Sequence, residues 1–158
     1  MNAQSRRNAI MEVLKAEEKP VSASTLAKQF NVSRQIIVGD IAILRAGGAD
    51  ISATPKGYVL AGEREGLVRS IVCKHSGMEE MAQELNICVD HGCCVLDVIV
   101  EHPVYGQLAG QLQLSTRYDV SQFLESVAQD KAHVLSELTD GIHLHTLRCP
   151  DEAAFQRV

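Results

Sequence analysis

The stretch DGIHLHTLRC, Asp140 to Cys149, places two imidazoles, His143 and His145, two residues apart in an apolar run. In a β-strand, residues i and i+2 share one face and stand roughly 6–7 Å apart. A shared metal ion and a pair of hydrogen-bonded structural histidines are both compatible with that spacing. Ligation needs further donors. His75 closes the apolar run LVRSIVCKH, and Glu84 follows nine residues on. Three imidazoles and a carboxylate suit a first-row transition ion such as Zn²⁺ or Ni²⁺, since neutral imidazole is a borderline ligand and the carboxylate offsets charge. Glu79 and Glu80 compete with Glu84 for the carboxylate role. Cys73 shares the strand face of His75 and could ligate, although a buried core thiol is its default reading.

A second set of residues could read nucleic acid. Ser33 is placed to cap the run RQIIVGDIAILRA, and Arg34 and Gln35 then begin a helix. A recognition helix enters the major groove by this end, where Arg suits guanine O6/N7 and Gln suits adenine N6/N7. Arg45, and Lys56 in the turn Pro55-Lys56-Gly57, are candidate phosphate contacts, which position a protein without specifying sequence. The competing reading is a three-helix packing module that binds protein. A third set lies in VIVEHPVYGQL. His102 and Tyr105 sit where a strand meets a Pro/Gly turn, a common border of small-molecule pockets. An anionic ligand would look to the first amides of a helix after Thr116, or to Arg117, Arg69 or Arg148. A hydrogen bond that stabilises the turn accounts for His102 equally well.

The elements that position these residues follow from periodicity. Ala9, Ile10, Val13 and Leu14 predict a helix over about Ser5–Glu17, ended by Pro20. Ser22 caps a short helix STLAKQF, Phe30-Asn31 turns, and Ile36, Ile37, Ile41 and Leu44 form the stripe of the third helix, with Gly39 inside it. Two strand-like runs around Ile51 and Tyr58–Leu60 bracket the Pro55 turn. Three helices and a hairpin make a winged helix-turn-helix. After the polar GEREG (Gly62–Gly66), strands and helices alternate. LVRSIVCKH is a strand, MEEMAQELNICVDHG a helix closed at Gly92, CCVLDVIVEH and QLAGQLQL a strand pair, and STRYDVSQFLESVAQD a helix with Thr116 and Asp119 as capping box. HVLSEL and GIHLHTLRC are expected strands, and PDEAAFQRV begins a helix with Pro150 near its start. The chain is therefore expected to be α+β. Residues 1–62 form the winged helix-turn-helix expected to bind DNA, and residues 63–158 an α/β domain with a mainly antiparallel sheet and packed helices.

Composition bounds the classes. The chain has 158 residues, 46% of them hydrophobic, enough for a real core. No apolar run approaches the ~18 residues that span a membrane, and the N-terminus has no signal-peptide core, so a cytoplasmic protein is expected. Five cysteines, an odd number, argue against a disulfide scaffold. The net charge of −5 is uneven: residues 1–62 carry eight Lys/Arg against five Asp/Glu, residues 63–158 seven against fifteen. Only the basic front half suits a polyanion. Enzymatic hydrolysis at a metal is the less favoured reading, for lack of a placed general base, a nucleophile elbow or a phosphate loop.

VSRQIIVGDIAILRA, VCKH, ELN, VLDVIVEHPVYG and SELTDGIHLHTL, in that order, resemble the niacin-responsive transcriptional repressors, which join a winged helix-turn-helix to a three-histidine (3H) domain. The resemblance covers nearly the whole chain. It implies a homodimeric repressor, not an enzyme, that binds double-stranded operator DNA of NAD-biosynthesis or niacin-uptake genes. Nicotinic acid would be co-repressor and a divalent metal, Ni²⁺ or Zn²⁺, would sit in the regulatory domain. By motif the implied metal ligands are His75, Glu84, His143 and His145. The alternative within the same class is a metal-sensing repressor. The family usually continues the final helix, so the resemblance also implies a short further C-terminal segment.

Overall fold

The computed structural model describes residues 1–61, 66–130 and 134–158, so the expected boundary at Gly62–Gly66 lies mostly outside the described residues. The chain divides into two compact units, 1–63 and 64–158.

In the first unit, α1 (Ala3–Ala16), α2 (Ala23–Phe30) and α3 (Arg34–Ala46) precede a two-stranded antiparallel hairpin of β1 (Ile51–Thr54) and β2 (Gly57–Leu60). Each helix starts at a side-chain cap. Asn2, Ser22 and Ser33 accept from the backbone N–H three residues on, which satisfies an amide that the helix leaves unpaired. Asn31 closes α2 in the left-handed region, φ 52°, and so turns the chain into α3. Ile10, Leu14, Leu26, Ile37, Ile41 and Ile51 fill the core. Ile36, expected in the apolar stripe, is instead exposed, because the buried face of α3 runs through Ile37, Asp40 and Ile41.

Asp40 was not legible as a core residue. Its carboxylate accepts from Arg6 Nε at 2.6 Å and Arg7 Nη1 at 3.4 Å, tying α1 to α3. It is only 4% exposed, so removing it leaves guanidinium groups facing an emptied, largely buried site. Asp40→Ala should destabilise this unit by roughly 3 kcal/mol or more, read from urea unfolding followed by far-UV circular dichroism. A loss below about 1 kcal/mol would show that the ion pair behaves as a surface one.

In the second unit, β3 (Leu67–Lys74), β6 (Ile142–Cys149), β4 (Cys94–His102) and β5 (Gly106–Leu114) form one antiparallel sheet in the order β3-β6-β4-β5. Helices α4 (Gly77–Asp90), α5 (Arg117–Asp130) and α6 (Glu152–Arg157) complete the unit. Apolar residues of α4, β4, β5, α5, β6 and α6, among them Leu85, Val95, Leu114, Val120, Leu147 and Ala154, make its core. Thr116 and Asp119 form the expected capping box, each side chain bonded to the other's backbone N–H. The expected strand HVLSEL is not one. His133 lies outside the described residues, and Leu135–Thr139 is a 3₁₀ helix. The strand that follows, β6, has both edges occupied by β3 and β4, and Asp140 and Gly141 reverse the chain in left-handed conformations just before it. The run therefore cannot pair with β6. Among the described residues no helix is long and apolar enough to cross a membrane.

Candidate metal centre

Strand register brings the histidines together. Pairing of β3 with β6 sets Cys73 opposite His143 and Ile71 opposite His145, and alternation puts Cys73, His143 and His145 on the same face. His75 follows the last residue of β3, and its backbone N–H donates to Gly141 O across the sheet. Helix α4 delivers Glu84 to this face. One oxygen, Oε1, lies 2.9 Å from His143 Nε2 and 2.6 Å from His145 Nε2, and Oε2 lies 3.6 Å from His75 Nε2. The rings of His75 and His143, and of His143 and His145, stand edge to face with centroids 4.7 Å apart. His143 and His145 are buried, at 1% and 3% exposure. The four residues named by motif thus converge. Glu79 is exposed, and Glu80 accepts from Ser76 N instead, at the start of α4.

The tautomers follow from the backbone. His143 Nδ1 meets Gly141 O at 2.8 Å, and His145 Nδ1 meets Asp97 O at 2.6 Å. A carbonyl oxygen only accepts, so both Nδ1 atoms carry protons and both Nε2 atoms are the lone-pair nitrogens. Those two lone pairs point at a carboxylate oxygen, itself an acceptor. Such an arrangement is repulsive unless cations stand in it, either a second proton on each ring or a metal ion between them. Histidines that bind metals have this outer hydrogen bond, which fixes the ring and exposes the ligating nitrogen. Donor types and outer shell fit a divalent transition ion. His75 Nδ1 is buried and has no partner among the described residues.

Electrostatics agree with a site that wants positive charge. Burial pushes the Glu84 carboxyl up, but hydrogen bonds from His143 and His145 outweigh it and hold the group at about 2. Burial pulls His143 down, yet Glu84 and the Gly141 carbonyl raise it net. For His75, burial prevails and lowers it, despite Glu84. Burial and the Glu84 charge push the Cys73 thiol up to about 12. A carboxylate held below its ordinary value stabilises the fold above about pH 4.5, and that contribution disappears as pH falls towards 2. In thermal melts between pH 5 and pH 3, metal-free protein should therefore lose more stability than its Glu84→Gln variant. Equal losses would contradict this electrostatic picture.

Two residues essential to this geometry had no side-chain signal in the sequence. Gly141 and Asp97 act through their carbonyl oxygens, which every residue type has. The Asp97 carboxylate also accepts from Thr146 N at 2.9 Å, beside a register shift in β4, and so fastens β4 to β6 next to His145.

The expected ligand trio does not assemble. His102 Nδ1 accepts from the N–H groups of Val104 and Tyr105, at 3.1 and 3.2 Å, so it stabilises the β4–β5 turn. Tyr105 is 75% exposed beside it. Arg117 lies beyond the far end of β5, roughly 30 Å along the strand, and its guanidinium grips Asp90. A cavity of about 600 Å³ opens instead beside His75, lined among others by Ser76, Met81, Val134, Ser136 and Gly141.

Of the expected DNA contacts, Arg34 and Gln35 are exposed at the first turn of α3, and Ser33 Oγ accepts from Ile36 N as the cap. Arg34 and Lys56 line a groove between the starts of the helices and the wing hairpin. Arg45 is exposed, its Nε donates to Ile51 O at 2.7 Å, and its guanidinium stands 5.9 Å from the centre of the Tyr58 ring.

Residues 68–158 match the family model described as 3H domain, and residues 6–59 one described as HTH domain. The chain is 43% identical over 155 residues to a protein of Thermotoga maritima named "Probable transcription repressor NiaR". That match covers 98% of this chain and 88% of the relative. It is 45% identical over 151 residues to the "Transcription repressor NadR" of Bacillus subtilis, covering 93% and 83%.

Proposed function

Since the chain belongs to the 3H-domain family and carries that domain behind a helix-turn-helix, we propose that it is a nicotinic-acid-dependent repressor of NAD-biosynthesis or niacin-uptake genes. It is a transcription repressor of the same type as the NiaR and NadR proteins, a regulator and not an enzyme, and its helix-turn-helix binds DNA. The finer reading has the chain act as a cytoplasmic homodimer with a divalent transition ion, Ni²⁺ or Zn²⁺, held by His75, Glu84, His143 and His145.

The observation that carries this reading is the cavity against His75. Its volume of about 600 Å³ lies in the range of small-ligand sites. Its described lining includes Glu137 and Asp140 but no Lys or Arg. Among the described lining residues a free carboxylate such as nicotinate meets no Lys or Arg, and the positive charge that would hold it is available at the His75 end. A bound ion supplies that charge and a position for a pyridine nitrogen or carboxylate oxygen. Met81 and Val134 offer apolar surface to the ring. In the DNA-binding unit, Arg34 and Gln35 reach base edges and Lys56 takes a phosphate. The ligand biases operator binding only through different affinities for two arrangements of the dimer.

The test is operator binding at fixed salt by metal-loaded full-length protein, followed by fluorescence anisotropy on promoter fragments of niacin-uptake genes. Nicotinate should tighten binding and nicotinamide should not. Affinity that ignores both ligands but falls on chelation would overturn the co-repressor reading in favour of a metal sensor.

A further inference from the structure

A fifth donor stands beside the four residues. Cys73 is the direct cross-strand partner of His143, and it shares a sheet face with His75 two residues on. Its Sγ, a Glu84 oxygen and a His143 ring nitrogen all lie within 4.8 Å of one another. Donors at ~2.0–2.3 Å from one tetrahedral ion stand roughly 3.3–3.7 Å apart, so movements of at most about an ångström bring all three onto one ion. Cys73 is half-buried, whereas Cys88, Cys93 and Cys149 are buried. Independently, the His75 side chain is only 7% exposed, and its Nδ1 has no hydrogen-bond partner among the described residues. The other ring nitrogen, Nε2, stands 3.6 Å from Glu84 Oε2, so the segment that holds Cys73 also brings an imidazole to the same carboxylate.

We propose that Cys73 supplies a thiolate to the ion held by His75, Glu84, His143 and His145, making the site selective for thiophilic ions. As the sulfur–metal bond forms, the thiol proton leaves to solvent. Thiolate favours Zn²⁺, Co²⁺ and Ni²⁺ over Mg²⁺, Ca²⁺ and Mn²⁺, which prefer oxygen donors. Five protein donors still leave one position on a six-coordinate ion, so the inference is compatible with an organic effector at the metal. It rests on the metal reading given above.

Cobalt(II)-loaded full-length protein provides the test, because sulfur-to-cobalt charge transfer absorbs in the near ultraviolet. The wild type and Cys94→Ser should show that band. Cys73→Ser should lack it while still taking up one cobalt per chain, and it should prefer Zn²⁺ over Mn²⁺ at least about tenfold less than the wild type does. X-ray absorption on the wild type needs no variant: it should show a sulfur scatterer at ~2.3 Å beside nitrogen and oxygen at ~2.0–2.2 Å. A shell of nitrogen and oxygen alone, or an unchanged band in fully loaded Cys73→Ser, overturns the role of Cys73 and leaves the four-residue site standing. Failure of the wild type to take up any cobalt overturns both.

Discussion

Glu84→Gln should lower affinity for a divalent transition ion by more than about 100-fold and should also make the metal-free protein less stable than the wild type at neutral pH. Losing a mere outer-shell partner already costs roughly 10–100-fold, and here a charged first donor is removed. The loss of stability has a specific reason. His143 and His145 commit their Nδ1 protons to Gly141 and Asp97 carbonyls, so their Nε2 lone pairs face the Glu84 carboxylate. Without an ion, that contact requires protons on buried imidazoles. A glutamine amide carries no charge to balance those protons, so the stabilising contact is lost. Calorimetric titration with Zn²⁺ and thermal melts in chelator read the two effects separately. A variant that binds metal normally would exclude Glu84 as a ligand. A variant as stable as the wild type without metal would contradict the stabilising role of the Glu84 charge.

Gly141→Ala should be among the most damaging substitutions in the second unit. At φ +88° the residue occupies a region that costs a non-glycine roughly 1–2 kcal/mol. A Cβ there would also stand 2.1 Å from the carbonyl oxygen of His75, a backbone atom that cannot rotate away. The strands must separate, and with them go the bond from His75 N to Gly141 O and the bond from His143 Nδ1 to the same oxygen. A loss of at least about 3 kcal/mol is expected, lowering the melting temperature of a unit this size by about ten degrees or more, together with weaker metal uptake. Gly106→Ala is the control. Its φ is +71° but no atom lies within 4 Å of the added Cβ, so only the backbone cost applies. Equal losses in the two variants would mean that the close approach to His75 is unimportant.

The histidine pair was legible because a strand's period of two is short and unambiguous, and β6 obeys it. The carboxylate was only a candidate. Glu80 and Glu84 are one helical turn apart, and only the way α4 lies on the sheet decides that Glu80 caps Ser76 while Glu84 reaches the histidines. Helices α1 to α3 and the wing could be read closely, since caps, Pro20 and the glycines punctuate them. Asp40 gives no such signal although it stands between Ile37 and Ile41, because its partners Arg6 and Arg7 are more than thirty positions away. EHPVYG is not part of the described lining of the cavity beside His75. Its His102 serves the turn, an interaction between neighbours that the spacing also allowed. The 3₁₀ segment before β6 resembles a strand in its apolar residues, while the occupied edges of β6 are a tertiary fact that no local pattern carries.

The central claim is that the convergence of three imidazoles on Glu84 is a metal site. Calorimetric titration of Zn²⁺ into chelator-treated full-length protein tests it most directly, run in two buffers of different ionisation enthalpy so that released protons are counted. The predicted result is one ion per chain, release of protons on binding, and loss of both in the His143→Ala/His145→Ala double variant. Zinc uptake that is absent in the wild type, or undiminished in the double variant, would contradict it.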